Sequence, residues 1–552
     1  MPSNANHVQP YTNPRRGKHL SSRSIFHTPH RADRIPALLG ILVALTTITC
    51  SMGARTATEP YFKPPNGISP VEYEVTATSS VTELLATLEP TLLPVATTAP
   101  TAIPTPTPGL VSTNTPRIMY NTQAGDTLPV IAVRFGVNPD DIYPTNPIPP
   151  TGLIAPNELM FIPDVLVNTT SAERIMPDSE VVFSPSAVDF DIRAFVNEAG
   201  GYLSTYTEYM RTTATTSGAD LVARVALENS VNPRLLLALL EYQSGWVYGQ
   251  PGNLVQSEYP MGKVELDKKG LYAQLVWAVK QLSIGYYGWR EGLLTEIYFS
   301  DGVTARLAPD LNAGTVALQF YFAQLYDTQR WVLAIDPTQG LPALYERMYG
   351  NPWLRANTFE PLYPPGLEQP PLILPFLIGQ LWSYSGGPHG AWEHEGARAA
   401  LDFAPSSVEP GCVDSDLWVV ASAPGLVVRS GNGVVVLDLD GDGYEQTGWA
   451  ILYLHVSTQG RVPTGQWMDT SDLLGHPSCE GGQATGSHVH MARKYNGEWF
   501  PADGPIPFNL SGWIPHAGTN SYEGTLTNGS ETVYASQYGS FESRIRRYAE
   551  IP

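Results

Sequence analysis

The chain is short of cysteine, of charge and of basic residues. Three cysteines in 552 residues (Cys50, Cys412, Cys479) are too few for a disulfide scaffold, and their spacing does not fit a zinc-finger cluster. Only 15% of residues are charged, and Asp+Glu outnumber Lys+Arg by 52 to 32, for a formal net charge of −20. Six basic residues (Arg15, Arg16, Lys18, Arg23, Arg31, Arg34) fall in the first 49 positions, against one acid, Asp33. No basic footprint remains downstream, which sets a nucleic-acid partner aside. Proline (50) and glycine (49) are abundant instead, implying linkers, turns and a β-rich part rather than one helical body. The length suits about three to five modules.

Residues 1–50 read as a basic leader and export signal. The run IPALLGILVALTTIT at 35–49 is short for a spanning helix but of signal length, and Cys50 follows it directly. That placement resembles a bacterial lipoprotein processing site, which implies lipidation of Cys50; an uncleaved membrane anchor is the alternative. Either reading puts the remainder outside the cytoplasm, on the cell-envelope side and membrane-anchored. Residues 51–117, rich in Thr and Pro, cannot bury enough apolar surface to fold and read as a disordered stalk.

The expected fold class is multidomain α+β. Residues 118–164 read as strand, two short helices, strand. Tyr120, the turn Gly125-Asp126-Thr127-Leu128, Ile131-Ala132, Phe135-Gly136-Val137, Asn146 and the closing Leu159 to Pro163 make this module resemble a LysM domain. The resemblance implies a βααβ fold and binding to peptidoglycan or other N-acetylglucosamine-containing glycan. Asn157 stands where the family has Gly, and Asn tolerates the left-handed backbone. Residues 186–360 read as helical. The pieces VNPRLLLALLEYQSGW and LNAGTVALQFYFAQL resemble segments of lysozyme-like lytic transglycosylases, but Gln243 occupies the general acid's position and cannot cycle a proton. Glu241 lies on another helix face. The middle domain is therefore expected to be non-catalytic.

Residues 376–516 alternate β-branched runs with Gly, Pro and Asp, as antiparallel strands do. Three segments carry histidine: GGPHGAWEHEGARAALDFAP (His389, His394, Asp402), AILYLHVS (His455) and ATGSHVHMA (His488, His490). Residues two apart on a strand share a face, so His488 and His490 project together. Two imidazoles on one face, with a further His and a carboxylate from distant strands, make a zinc donor set that leaves a position for water.

These motifs resemble the lysostaphin/LytM-type zinc metallopeptidases, which cut peptide bonds in peptidoglycan. The resemblance implies one Zn2+ held by His389, Asp402 and His490, with His455 and His488 as catalytic groups, one activating water and the other stabilising the oxyanion. Twelve residues separate His389 from Asp402 where the family has three. A loop must be inserted, or His394 is the ligand; His389 is preferred because Gly386-Gly387-Pro388 reads as a tight turn before it. The function expected is a LysM-targeted cell-wall endopeptidase; a catalytically silent peptidoglycan-binding protein is the alternative. Cys412 and Cys479 share this domain and are a candidate disulfide. Asp438, Asp440 and Asp442 resemble the start of a calcium loop. The twelfth position is Trp449 rather than Glu, so a full EF-hand fails and a polar turn is favoured over calcium. Residues 517–552 form a polar C-terminal extension.

Overall fold

An Asn-Pro pair starts the central helix of the middle region. The Asn232 side chain accepts from the Arg234 amide at 3.0 Å, Pro233 fills the first turn, and Gly245 ends helix Pro233–Ser244 in the left-handed conformation. Residues 235–240 are wholly buried because helices surround them. The longest neighbours are Gly218–Asn229, Leu271–Arg290 and Ala313–Ala323. The last two approach closely at Gly285, where a Cβ would lie 2.9 Å from the Ala317 Cα. Tyr286, Tyr287 and Trp289 pack inside.

The computed structural model describes residues 115–392, 395–406, 411–413 and 415–549; the leader, the stalk, Cys50 and His394 lie outside the described residues. Among the described residues no helix is long and apolar enough to cross a membrane.

In the N-terminal module, strand Arg117–Asn121 pairs with Leu159–Pro163, which also pairs with Tyr143–Pro144. Helix Leu128–Phe135 covers the sheet through Ile131 and Phe135. Where the βααβ reading expects a second α-helix, the chain makes one 3₁₀ turn, Pro139–Asp141. Pro144, Pro147, Pro149 and Pro150 follow, and prolines without N–H groups cannot extend a helix there. Arg134 fixes the module to the middle region, donating to the Trp289 carbonyl at 2.9 and 3.2 Å with its guanidinium 4.7 Å from the Trp289 ring centre.

A nine-stranded sheet forms the C-terminal part. Its antiparallel order runs Trp467–Met468, Gly425–Gly431, Val434–Asp438, Trp449–Leu454, Val489–Tyr495, Ala400–Pro405, Leu381–His389 and Arg544–Arg546, with Glu498–Trp499 paired to Val489–Tyr495 off this path. The alternation of these strands builds two cores. Val435, Leu437, Ile451, Tyr453, Val489 and Met491 face one core, and Val434, Val436, Ala450, Leu452 and Ala492 face the helices. His490 and Asp402, opposite each other in the ladder, share the helix-facing side with Ala492 and Ala400.

Buried charge joins helices to sheet. Arg290, on helix Leu271–Arg290, donates to Glu498 and to Asp178, both at 2.9 Å, and Tyr286 donates to Glu498 at 2.9 Å. Arg290→Ala would strand both carboxylates in a dry interface. The expected loss is about 3 kcal/mol of unfolding free energy, read by chemical denaturation; a change within about 0.5 kcal/mol would show that this cluster does not hold the interface.

Candidate metal centre and catalytic cleft

Strand pairing explains how residues thirteen apart in sequence meet. His389 ends strand Leu381–His389, Asp402 lies on the adjacent Ala400–Pro405, and the ladder pairs Gly386 with Asp402 and His389 with Ala400. Gly386-Gly387-Pro388, read from sequence as a tight turn, continues the strand instead. These glycines allow close approach: a Cβ on Gly386 would lie 2.5 Å from Asp402 Oδ2. The intervening residues form a loop whose Ala391, Ala397 and Ala399 are buried in the helical core.

Each imidazole of this group has its tautomer set by a backbone carbonyl. His389 Nδ1–H donates to the Gly387 carbonyl at 2.8 Å, and His490 Nε2–H donates to that of Ala391 at 2.9 Å. The lone pairs of His389 Nε2 and His490 Nδ1 then face each other at 2.9 Å. Asp402 Oδ1 lies 3.3 and 3.2 Å from these two nitrogens, is buried and accepts no hydrogen bond. Three acceptors converging without a proton between them repel unless a cation joins them. Tetrahedral zinc with bonds near 2.0–2.1 Å sets its ligands about 3.3 Å apart, so the donor set fits that ion. Burial opposes ionisation of Asp402, but the imidazoles of His389 and His488 hold its carboxyl well below the usual range. Burial pushes His490 down, favouring the neutral ring a metal needs.

His455 and His488 flank this triad with ring centroids 4.5 Å apart. His455 Nδ1–H donates to the Glu480 carbonyl at 2.8 Å and His488 Nδ1–H to that of Gly486 at 2.7 Å, which leaves both Nε2 atoms free of these bonds. Burial first, then His488 and His490, push His455 down to about 3. His455 adopts φ +66°, which turns its ring out of the alternation of strand Trp449–Leu454. Tyr453 instead points into the far core, its hydroxyl accepting from the Ser422 amide at 2.8 Å.

All five residues line an open cleft of about 1640 Å³, and Arg224, Glu228 and Tyr272 of the helical region form part of its wall. Tyr522 also lines the cleft and stacks on His389 with centroids 4.1 Å apart. No sequence motif marks Tyr522; its position follows from long-range packing, with its carbonyl accepting from the Gly387 amide at 2.9 Å.

Cys412 and Cys479 are joined as a disulfide. In the middle region, Glu241 Oε2 accepts from the Val247 and Tyr248 amides at 2.8 and 3.0 Å. These two bonds close the loop after its helix. Gln243 Oε1 accepts from the Tyr326 hydroxyl at 2.7 Å.

A family model described as the LasA N-terminal domain matches residues 174–363, the helical region that the sequence likens to lysozyme-like enzymes. Protease LasA of Pseudomonas aeruginosa is 26% identical over 313 residues, spanning 53% of this chain and 69% of LasA. The M23 metalloprotease pseudoalterin, from the deep sea, is 25% identical and covers 30% of this chain and 94% of its own, with a TM-score of 0.26. The catalytic domain of the antimicrobial peptidase lysostaphin from Staphylococcus simulans is 21% identical, covering 22% of this chain and 87% of its own, with a TM-score of 0.16. With its His-Asp-His centre and its likeness to Protease LasA, the chain is a zinc metalloendopeptidase.

Proposed function

We propose that this protein is a cell-wall hydrolase that cuts peptide bonds of peptidoglycan. The observation that carries this reading is the pair of pinned imidazoles and the unsatisfied Asp402 oxygen converging on one point, with two further histidines beside it. His389 Nε2, Asp402 and His490 Nδ1 would hold zinc. Bound there, zinc supplies Lewis acidity, polarising a carbonyl and bringing the pKa of water toward about 7. The chain's own part is to place two proton-handling groups. The Nε2 atoms of His455 and His488 face the reacting carbonyl; with Nδ1–H committed, one bare Nε2 takes the proton of the attacking water, and the other ring, protonated at Nε2 as an imidazolium, donates to the developing oxyanion. The carbonyls of Glu480 and Gly486 keep both rings aimed before substrate arrives.

The LysM-like module is the proposed wall-targeting part, and Cys50 the proposed tether after export. Tethering raises the effective concentration of scissile bonds near the cleft. The Cys412–Cys479 disulfide is in keeping with an oxidising compartment outside the cytoplasm.

The test is digestion of intact peptidoglycan by the zinc-loaded protein, with fragments read by mass spectrometry. New amines and carboxyls on peptide stems are expected, and they name the bond; intact stems would sink the proposal. Co-sedimentation with peptidoglycan, competed by N-acetylglucosamine oligomers, checks targeting separately. Unaltered sedimentation under competition would remove the glycan-binding role.

A further inference from the structure

Outside the zinc centre, the described residues hold a second cluster of metal-ligand type. It sits in the turn between strands Val434–Asp438 and Trp449–Leu454, where Asp438, Asp440 and Asp442 each offer a carboxylate oxygen within 4.8 Å of the others. Three like charges at that spacing repel. Asp440 and Asp442 are exposed, but Asp438 has no exposed surface. One Asp438 oxygen accepts from the Gly443 amide at 2.8 Å; the other, Oδ1, is buried with no hydrogen-bond partner. A buried carboxylate oxygen left unpaired beside two more carboxylates is destabilising by itself, and a cation relieves it. Nearby basic groups are committed elsewhere, since Arg429 and Lys494 both pair with Glu445.

We propose that this turn is a calcium site held by Asp438, Asp440 and Asp442. An all-oxygen set selects calcium over zinc, which takes nitrogen and sulfur ligands, and over magnesium, which demands a strict octahedron. The site is not an EF-hand. Trp449, at the twelfth position, begins the next strand, so the bidentate closing ligand is missing. The affinity should therefore lie in the weak extracellular range, about 10⁻⁴–10⁻³ M. The sequence alone favours a polar turn at this place; the orphaned Asp438 oxygen is what the structure adds. Calcium here would staple the hairpin whose second strand leads directly into His455.

The experiment uses the full chain, freed of calcium on a chelating resin and reloaded with zinc. Terbium serves as a luminescent stand-in, with Trp467 as sensitiser, since its ring lies 2.8 Å from where a Cβ on Gly441 would sit. Terbium emission should appear and be displaced by millimolar calcium. Calcium ten- to a hundredfold above its dissociation constant should raise Tm by about 1–3 °C. The double variant Asp440→Asn/Asp442→Asn changes two exposed side chains, and should lose both responses while keeping its zinc. Wild-type protein with no terbium emission and no calcium-dependent Tm would overturn the site. So would responses that persist undiminished in the double variant, because they would then belong to other carboxylates.

Discussion

Replacing His490 by alanine is expected to remove both zinc and turnover. His490 Nδ1 is one of three converging donors, and its ring is held by the Ala391 carbonyl. Peptidoglycan cleavage should fall by at least about 10³-fold, at or beyond the loss of a single oxyanion donor in other hydrolases. Zinc content, measured by mass spectrometry of the metal, should fall with it. His455→Ala separates binding from chemistry, because His455 flanks the centre without belonging to the triad. That variant should keep its zinc and lose about 10²–10⁴-fold in kcat. Unchanged turnover in His490→Ala would refute the metal assignment. Loss of zinc in His455→Ala would move that histidine from the chemistry into the ligand set.

Breaking the disulfide is expected to weaken both stability and catalysis. Cys412 and Cys479 are 67 residues apart, and closing a loop of that size removes unfolded-chain entropy equivalent to about 4 kcal/mol. The catalytic effect comes from its neighbours in the chain. Next to Cys479, Ser478 donates its amide and hydroxyl to the His455 carbonyl at 2.7 and 3.0 Å, and the Glu480 carbonyl receives His455 Nδ1–H. Next to Cys412, the carbonyls of Gly411 and Val413 receive the amide and hydroxyl of Ser487, the residue before His488. One bridge thus braces both flanking histidines. Cys412→Ser/Cys479→Ser should lower kcat about 10-fold or more with zinc content and KM little changed, because misaim of about 1 Å is costly in a preorganised site. Wild-type kcat in a variant that has lost its Tm would restrict the bridge to stability.

Much of the centre was legible from local rules. His488 and His490 are two apart on a strand, and that alternation suffices to put them on one face. Charge and spacing do not say which distant carboxylate joins them; the family resemblance supplied Asp402, and the ladder brings it opposite His490. The run between His389 and Asp402 read as an insertion with two candidate histidines. Its ends belong to neighbouring strands, while His394 lies outside the described residues. Tyr522 was invisible because nothing local in its sequence distinguishes a ring that stacks on a histidine more than a hundred positions away. In the middle region, helices with buried Leu and Ala faces look alike across many all-α folds; two short motifs there resemble lysozyme-like enzymes, and the family match over the same stretch is to the LasA N-terminal domain.

The two-faced burial of the sheet limits how this protein can be divided. Val434, Val436, Ala450, Leu452 and Ala492 reach the outside of the peptidase only to meet the helices, and each is at most 3% exposed. The same contact seats the loop whose Ala391 carbonyl holds His490. Cutting the chain near residue 365 and separating the halves would turn that seam into a wet apolar wall and leave a metal ligand without its anchor. The peptidase part keeps a second core of its own, so separation would expose the seam while leaving that core covered.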